Sequence, residues 1–494
     1  MAILLINPLF RRKNTRKMRN GARQSHGKGY VPFPLLFMPF PGIGFAEMLS
    51  ASPDPTPSLF QRALTGSMLT AGSYAVTQGL RLVSNLILTR LLFPEAFGVM
   101  ALVSVVLVGL SMFSDMGIGP AISQHRKGDD PAFLDTAFTL DVLRGGVLWL
   151  LTCALAWPAA QLYNAPELLQ LLPVAGLTLL IAGFNPTRID TANRHLLLGR
   201  VTLLDLAAQI IGLLAMIALA VALQSVWALV LGAIVGSIAK LVIMHLWLPG
   251  RPNRFHWDAE AGRDLIHFGK WIFLSTACGF LLSQGDKAIF GAYLSKADLG
   301  IYNIGWFLAS FPILLAGAVT GRVLIPLYRD QHPAAALQNA RKLRRFRFAI
   351  SGGTLGLLAV LGVVGIPLVG VLYDPRYQAA GMVVVLMAIV QMPAVIGMTY
   401  DQSALAAGDS RSYFLLMALK AAVQTLAFLI GMETGGLWGA LAAQGTALIA
   451  LHPAIAWLAH RNRAWDGLHD LIFFALGGGL AGLILWVNRA TFGL

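Results

Sequence analysis

Six polar side chains fall at helical spacing on one side of an otherwise apolar stretch. They are Tyr74, Thr77, Gln78, Arg81, Ser84 and Asn85, while Leu80, Leu82, Val83, Leu86 and Ile87 cover most of the remaining surface. Arg81 sits midway along this stretch. A central Arg in a membrane span costs about 2.5 to 3.5 kcal/mol, so its guanidinium must face a wet cavity or an acid rather than lipid. The next apolar stretch places Ser104, Ser111 and Asp115 on one stripe, and the third carries Asp141 and Arg144 three residues apart, close enough to pair with each other. Lys240, Lys270 and Lys420 lie near the ends of other stretches, where a long basic side chain can also reach the interface.

Arg presents a planar fork that matches phosphate oxygens, and Gln, Asn and Ser exchange hydrogen bonds with sugar hydroxyls. A cleft lined in this way suits a large anionic, sugar-bearing, lipid-linked substrate. Arg81, Gln78, Asn85, Arg144 and Lys270 are the candidate substrate contacts. Asp115 and Asp141 are the candidate proton carriers, because carboxylates inside membranes serve relays.

The elements that must hold these side chains are membrane helices. Thirteen apolar stretches begin near residues 67, 97, 136, 167, 203, 226, 264, 299, 347, 380, 413, 436 and 469, each long enough to cross a hydrocarbon core of about 30 Å. Of the 494 residues, 56% are hydrophobic, only 12% are charged and 51 are glycine, which suits packed membrane helices rather than a chain of soluble domains. The basic residues alternate between connections. Arg126 with Lys127, Arg188 with Arg194 and Arg200, Arg251 with Arg254 and Arg263, the run Arg341 to Arg347, and Arg461 with Arg463 all fall on one side. The opposite connections carry little beyond Arg90, Lys287, Lys296 and Arg376. The positive-inside bias therefore places the amino terminus in the cytoplasm.

A net charge of +14 raises nucleic acid as a partner, but the positive charges lie next to spans, so anionic lipid head groups are the expected neighbours and nucleic acid is not. Cys153 and Cys278 lie inside apolar stretches without metal-ligand spacing. The GK pairs at Gly27-Lys28 and Gly269-Lys270 lack the hydroxyl residue of a P-loop, and there is no HExxH or GxSxG motif. No catalytic residue, cofactor or metal is expected. A membrane glycosyltransferase or polysaccharide polymerase is the alternative from another class, but such enzymes usually need a sizeable extramembrane loop, and none here exceeds about 25 residues.

Two halves are visible. Leu92-Phe93-Pro94-Glu95-Ala96-Phe97-Gly98-Val99 and Leu294-Ser295-Lys296-Ala297-Asp298-Leu299-Gly300-Ile301 share a pattern, stand 202 residues apart and each follow a span. With six spans between them, the expected fold is all-α and polytopic. It comprises 12 to 14 helices in two six-helix bundles related by a pseudo-two-fold axis along the membrane normal. The expected parts are a flexible basic and Pro-rich cytoplasmic extension (1–65), an N-terminal bundle (66–248), a cytoplasmic linker (249–263), a C-terminal bundle (264–460) and an additional span (461–494). The extension is no secretory signal, because its charges follow the short apolar run instead of preceding it. Loops rich in Gly and Pro, Gly117 to Pro120 and Phe311-Pro312, are where helices are expected to bend.

The stretch from Leu88 to Gln124, containing ILTRLLFPEAFGVMALV and FSDMGIGPAISQ, resembles the opening of the polysaccharide and O-antigen flippases (Wzx type) of the multidrug/oligosaccharidyl-lipid/polysaccharide exporter superfamily. Gly285-Asp286-Lys287 to Ala292, Leu299 to Asn303, and Asn185-Pro186-Thr187 with Arg194 and Gly199 are similar to the same family. The resemblance covers about residues 67 to 460. It implies translocation of an undecaprenyl-pyrophosphate-linked oligosaccharide across the bacterial inner membrane, driven by an ion gradient. It also implies partners among membrane lipids and other polysaccharide-assembly membrane proteins. The family has twelve or fourteen spans where thirteen are read here. A cation-coupled multidrug exporter is the alternative within the superfamily.

Overall fold

The computed structural model describes residues 59–492 except 116, 196–197, 270–272 and 331–332. The basic extension up to residue 58 and Lys270 therefore lie outside the described residues. Among the described residues the chain is helical apart from its connections, of which 251–258 is a non-helical segment between the halves. Its first half comprises α1 (Leu59–Leu91), α2 (Pro94–Phe113), α3 (Ile118–Gln124), α4 (Pro131–Leu162), α5 (Leu168–Gly183), α6 (Arg188–Arg194), α7 (Leu198–Leu223) and α8 (Trp227–Trp247). After α9 (Ala259–Gly269), the second half runs through α10 (Phe273–Tyr293), α11 (Lys296–Ala309), α12 (Phe311–Asp330) and α13 (Leu337–Leu372). It continues with α14 (Ala380–Val390), α15 (Met392–Gly397), α16 (Gln402–Ala406), α17 (Ser410–Arg461), α18 (Gly467–Val487) and α19 (Arg489–Phe492).

Local chemistry sets the helix starts. Pro94 and Pro131 occupy first-turn positions where the missing N–H costs nothing, and Asp130 accepts a 2.8 Å bond from the Ala132 amide. Ser295 caps α11 by accepting from the Asp298 amide at 3.1 Å. Bends fall at prolines. α5 and α6 meet at 57° across Asn185-Pro186, α11 and α12 at 48° beside Pro312, and the segment through α14 meets that through α16 at 43° beside Pro393.

Seven described helices are long and apolar enough to cross a membrane, or ten when each bent pair is one span. Helix α17, at 52 residues, is itself two arms. Gly435 and Gly436 leave helical geometry, Gly436 at φ 59°, and Gly431 lies so close to Gly439 and Ala440 that the arms must fold back on each other. The stretch read as a span from residue 264 divides differently. Its start is α9, an amphipathic helix whose Glu260 pairs with Lys127 at 2.9 Å, and the apolar helix is α10.

The two halves touch mainly where α2 meets α11, with α2 also packed along α10. The contact is reciprocal. A Cβ on Gly98 would strike the Lys296 carbonyl, and one on Gly300 would strike the Pro94 carbonyl. Gly98 and Gly300 hold the same place in the two repeated octamers, as do Pro94 and Lys296. The repeat read from the sequence is thus a two-fold contact between helix starts.

The end of the molecule bearing this contact is tied across the halves. Lys296 reaches Glu167 at 2.7 Å, the Tyr377 hydroxyl donates to the Leu92 carbonyl at 2.9 Å, and Arg376 stacks on Phe93 at 4.6 Å. At the other end, bearing the basic loops, residues 251–258 are strapped to the first half. Asp135 accepts from the Arg251 side chain and the Arg254 amide, Thr136 accepts from the Asp258 amide, and Asn253 exchanges two bonds with Thr187.

Candidate functional site

A cavity of about 340 Å³ opens between the halves. From α1 it takes Arg81, Ser84, Asn85 and Leu88, and from α2 Phe97, Met100, Ala101 and Ser104. The second half contributes Lys287 from α10 and Asn303, Trp306 and Phe307 from α11. Leu213 and Met216 of α7 and Leu229 of α8 close an apolar side. The wall crosses the pseudo-two-fold. Asn85 and Lys287 occupy equivalent positions of the repeat, as do Ala101 and Asn303, and Ser104 and Trp306.

Arg81 is exposed to this space, and among the described residues it pairs with no carboxylate. The two nearest acids in the sequence argument are engaged elsewhere. Asp115 accepts from the Gly117 amide at 2.8 Å, and Asp141 lies 3.7 Å from Arg144. Lys287 is buried to 8% exposure with its ammonium 4.1 Å above the Trp306 ring, a cation–π contact that leaves its three donors able to turn to a ligand. Its neighbour Asp286 is held away by the Tyr302 hydroxyl at 2.7 Å. Ser84 and Ser104 donate to carbonyls of their own helices at 3.1 and 2.8 Å, so their oxygens face the cavity as acceptors. Among the lining residues there is no Asp or Glu.

Gln78 is buried at 9% exposure one turn before Arg81, outside the cavity wall. Arg144 is not in the wall either. Its guanidinium bonds the Ser114 hydroxyl and the Ser111 carbonyl, both at 3.0 Å, so α4 is stapled to the end of α2. Lys240 pairs with Asp205 and Lys420 with Asp401, at 2.9 and 2.6 Å.

The structure corrects the placement of Lys287, read above as a charge on a connection. It lies inside α10, six residues before its end. A span of about twenty residues begun at 264 ends before 287, and that left Lys287 on a connection. The equivalence of Lys287 with Asn85 in the repeat was the signal that would have found it.

On the basic face, Asp129 gathers Arg194 at 2.9 Å and His195 at 2.8 Å. The His195 hydrogen bond draws the Asp129 carboxyl below its ordinary range. Partial burial opposes this shift and the Arg194 charge adds to it. Arg194 also donates to the carbonyls of Ile122, Ser123 and His125, fixing the loop that precedes α4.

The profile of the family described as polysaccharide biosynthesis protein matches residues 87–381. The chain is 24% identical over 280 residues to the amylovoran biosynthesis protein AmsL of Erwinia amylovora, covering 55% of this chain and 71% of that one. To the lipopolysaccharide biosynthesis protein WzxC of Escherichia coli it is 21% identical over 315 residues, covering 63% and 61%. The succinoglycan biosynthesis transport protein ExoT of Rhizobium meliloti matches at 24% over 254 residues, 51% of each chain. The chain thus spans between about half and seven-tenths of these relatives' lengths. Among solved structures, the fold is that of the lipid II flippase MurJ in an inward closed conformation, with a TM-score of 0.62 and 11% identity, covering 86% of this chain and 98% of that one. An inward-facing multidrug resistance MATE transporter of the MOP superfamily gives 0.57 at 15% identity, covering 78% and 95%. The chain belongs to the polysaccharide biosynthesis protein family, and is a multi-pass, two-bundle helical membrane protein.

Proposed function

We propose that this member of the polysaccharide biosynthesis family moves an undecaprenyl-pyrophosphate-linked oligosaccharide across the bacterial inner membrane, with its amino terminus in the cytoplasm. The observation that carries this reading is the charge of the cavity. Two cationic side chains, Arg81 and Lys287, face one space with Asn85, Asn303 and Ser104 beside them and no acid among the lining residues. Such a wall attracts a diphosphate and offers hydrogen bonds to the first sugars, and its volume lies within the range of small-ligand sites. A cation exporter would need the opposite polarity at that place.

Arg81 supplies the bidentate contact to phosphate oxygens and Lys287 a point charge from the other bundle. Trp306 offers a flat apolar face to a sugar ring, with Asn85 and Asn303 placed for its hydroxyls. The polyprenyl tail stays in lipid. Binding across the pseudo-two-fold links both bundles to one ligand, as alternating access requires. Asp115 and Asp141 are proposed to carry the coupling proton. Gln78 and Arg144 support the site by positioning α1 and α4. The other proposed partners are membrane lipids and further polysaccharide-assembly membrane proteins. Cells lacking the chain should lose surface polysaccharide and accumulate the lipid-linked precursor on the cytoplasmic leaflet. Dye sensitivity with intact surface polysaccharide would assign it to drug export instead.

A further inference from the structure

A second buried polar cluster lies in the C-terminal half, far along the sequence from the cavity residues. At its centre is Asp470 in the first turn of α18. One of its oxygens accepts from the Tyr400 hydroxyl at 2.6 Å and lies 3.1 Å from His469 Nδ1, and the other accepts from the Trp465 indole at 2.8 Å and lies 3.0 Å from His452 Nε2. His469 is fully buried, and its other nitrogen, Nε2, meets the Ser351 hydroxyl of α13 at 2.9 Å.

The two histidines differ in what they can accept. His452 gives its Nε2 hydrogen to Asp470, and its buried Nδ1 has no partner among the described residues, so a second proton there would have no acceptor. His469 gives its Nδ1 hydrogen to the same carboxylate, and its Nε2 faces a hydroxyl. A hydroxyl can donate to a bare nitrogen or accept from a protonated one. His469 is therefore satisfied in both protonation states, with a carboxylate in contact to balance the charge.

The surrounding charges are already compensated. From α13, Arg344 is paired with Asp466 at 2.6 and 3.0 Å. Arg347 lies 4.4 Å over the Tyr400 ring and donates to the Tyr328 hydroxyl of α12 and to the Ala464 carbonyl. Asp401, beside Tyr400, is neutralised by Lys420 of α17, and His460 of α17 packs edge-on against Trp465. Asp470 is the carboxylate that the His469 ring contacts directly.

We propose that His469 is a proton-binding site of the C-terminal bundle, with Asp470 as its counter-charge and Ser351 as the hydroxyl partner of both states. Protonated, His469 makes charge-assisted bonds at both ends and clamps α18 to α13. Neutral, it keeps only the bond to Asp470 as charge-assisted, and α18 is held less tightly. The site is independent of what the cavity carries.

The test is the thermal midpoint of the purified full-length protein in nanodiscs from pH 5 to pH 8, compared between variants. The wild-type curve minus the His469→Gln curve should show a step within that range, because glutamine keeps hydrogen-bonding capacity and removes titration. His452→Gln should retain the step. Ser351→Ala should move its midpoint to lower pH, since the stronger, charge-assisted bond is the one lost. A step that survives in His469→Gln, or one removed equally by His452→Gln, overturns the proposal. Should His469→Gln fail to fold, a Ser351→Ala curve superimposable on wild type overturns it alone.

Discussion

Replacing Gly98 or Gly300 by alanine puts one methyl group into the tightest backbone approach between the two bundles. At Gly98 the added Cβ meets the Lys296 carbonyl carbon at 2.7 Å as well as its oxygen, and at Gly300 it meets the Pro94 carbonyl carbon at 2.9 Å. These partners are backbone atoms, which cannot rotate aside, so the helix starts must separate. Overpacking of this kind costs about 1 to 3 kcal/mol. Applied to a state in which α2 and α11 touch, and not to one in which they part, it shifts the equilibrium about 5- to 150-fold toward parting. The two substitutions should be less than additive, because one separation relieves both clashes. Spin labels at Leu162→Cys and Val371→Cys, 66% and 80% exposed at this end of opposite bundles, would report the change by pulsed EPR. The expected result is a longer-distance population that grows in Gly98→Ala and in Gly300→Ala. An unchanged distribution in the double variant, with normal membrane levels, would refute the reasoning that this contact separates.

Three other outcomes follow from the same architecture. A cysteine replacing exposed Lys342 should be shielded from an impermeant thiol reagent in intact cells while one at exposed Ser295 labels, and labelling at 342 would reverse the topology. Removal of residues 1–47 should leave insertion and transport near wild type, which export assays at matched membrane levels would check. On the basic face, the depressed Asp129 carboxyl contributes stability that is present above its unfolded value of about 4 and is lost as pH falls through the lower folded value. Asp129→Asn should therefore speed amide exchange in the 125–130 loop at pH 7, and the difference from wild type should shrink in acid.

Much of this was legible because periodicity carries it. The helical spacing of Arg81, Ser84 and Asn85 put them on one face, and the structure places all three on the cavity wall. The pairing of Asp141 with Arg144 could be read from their three-residue spacing. The bends expected near Gly117 to Pro120 and at Phe311-Pro312 fall at the break between α2 and α3 and at the 48° junction of α11 and α12. What periodicity could not supply was contact between distant segments. Lys287 gained its place from the packing of α10 against α2, and Trp306 and Asn303 look like ordinary helix residues until α11 is set opposite α1. The cluster around Asp470 draws on α12, α13, α17 and α18, and its members are separated by up to 142 residues, so no local pattern announces it.

The cavity between the bundles is proposed to carry a pyrophosphate-linked saccharide past Arg81. The most direct measurement is transbilayer movement of a fluorescent undecaprenyl-pyrophosphate saccharide in vesicles reconstituted with the purified protein, comparing wild type, Arg81→Ala and Arg81→Lys at equal incorporation. Wild type should move the lipid, Arg81→Ala should fall to the protein-free rate, and Arg81→Lys should recover only part of the activity because a point charge cannot replace the bidentate fork. Full movement by Arg81→Ala, or by an Arg81→Ala protein restored through a second alanine at Asp115 or Asp141, would contradict the account.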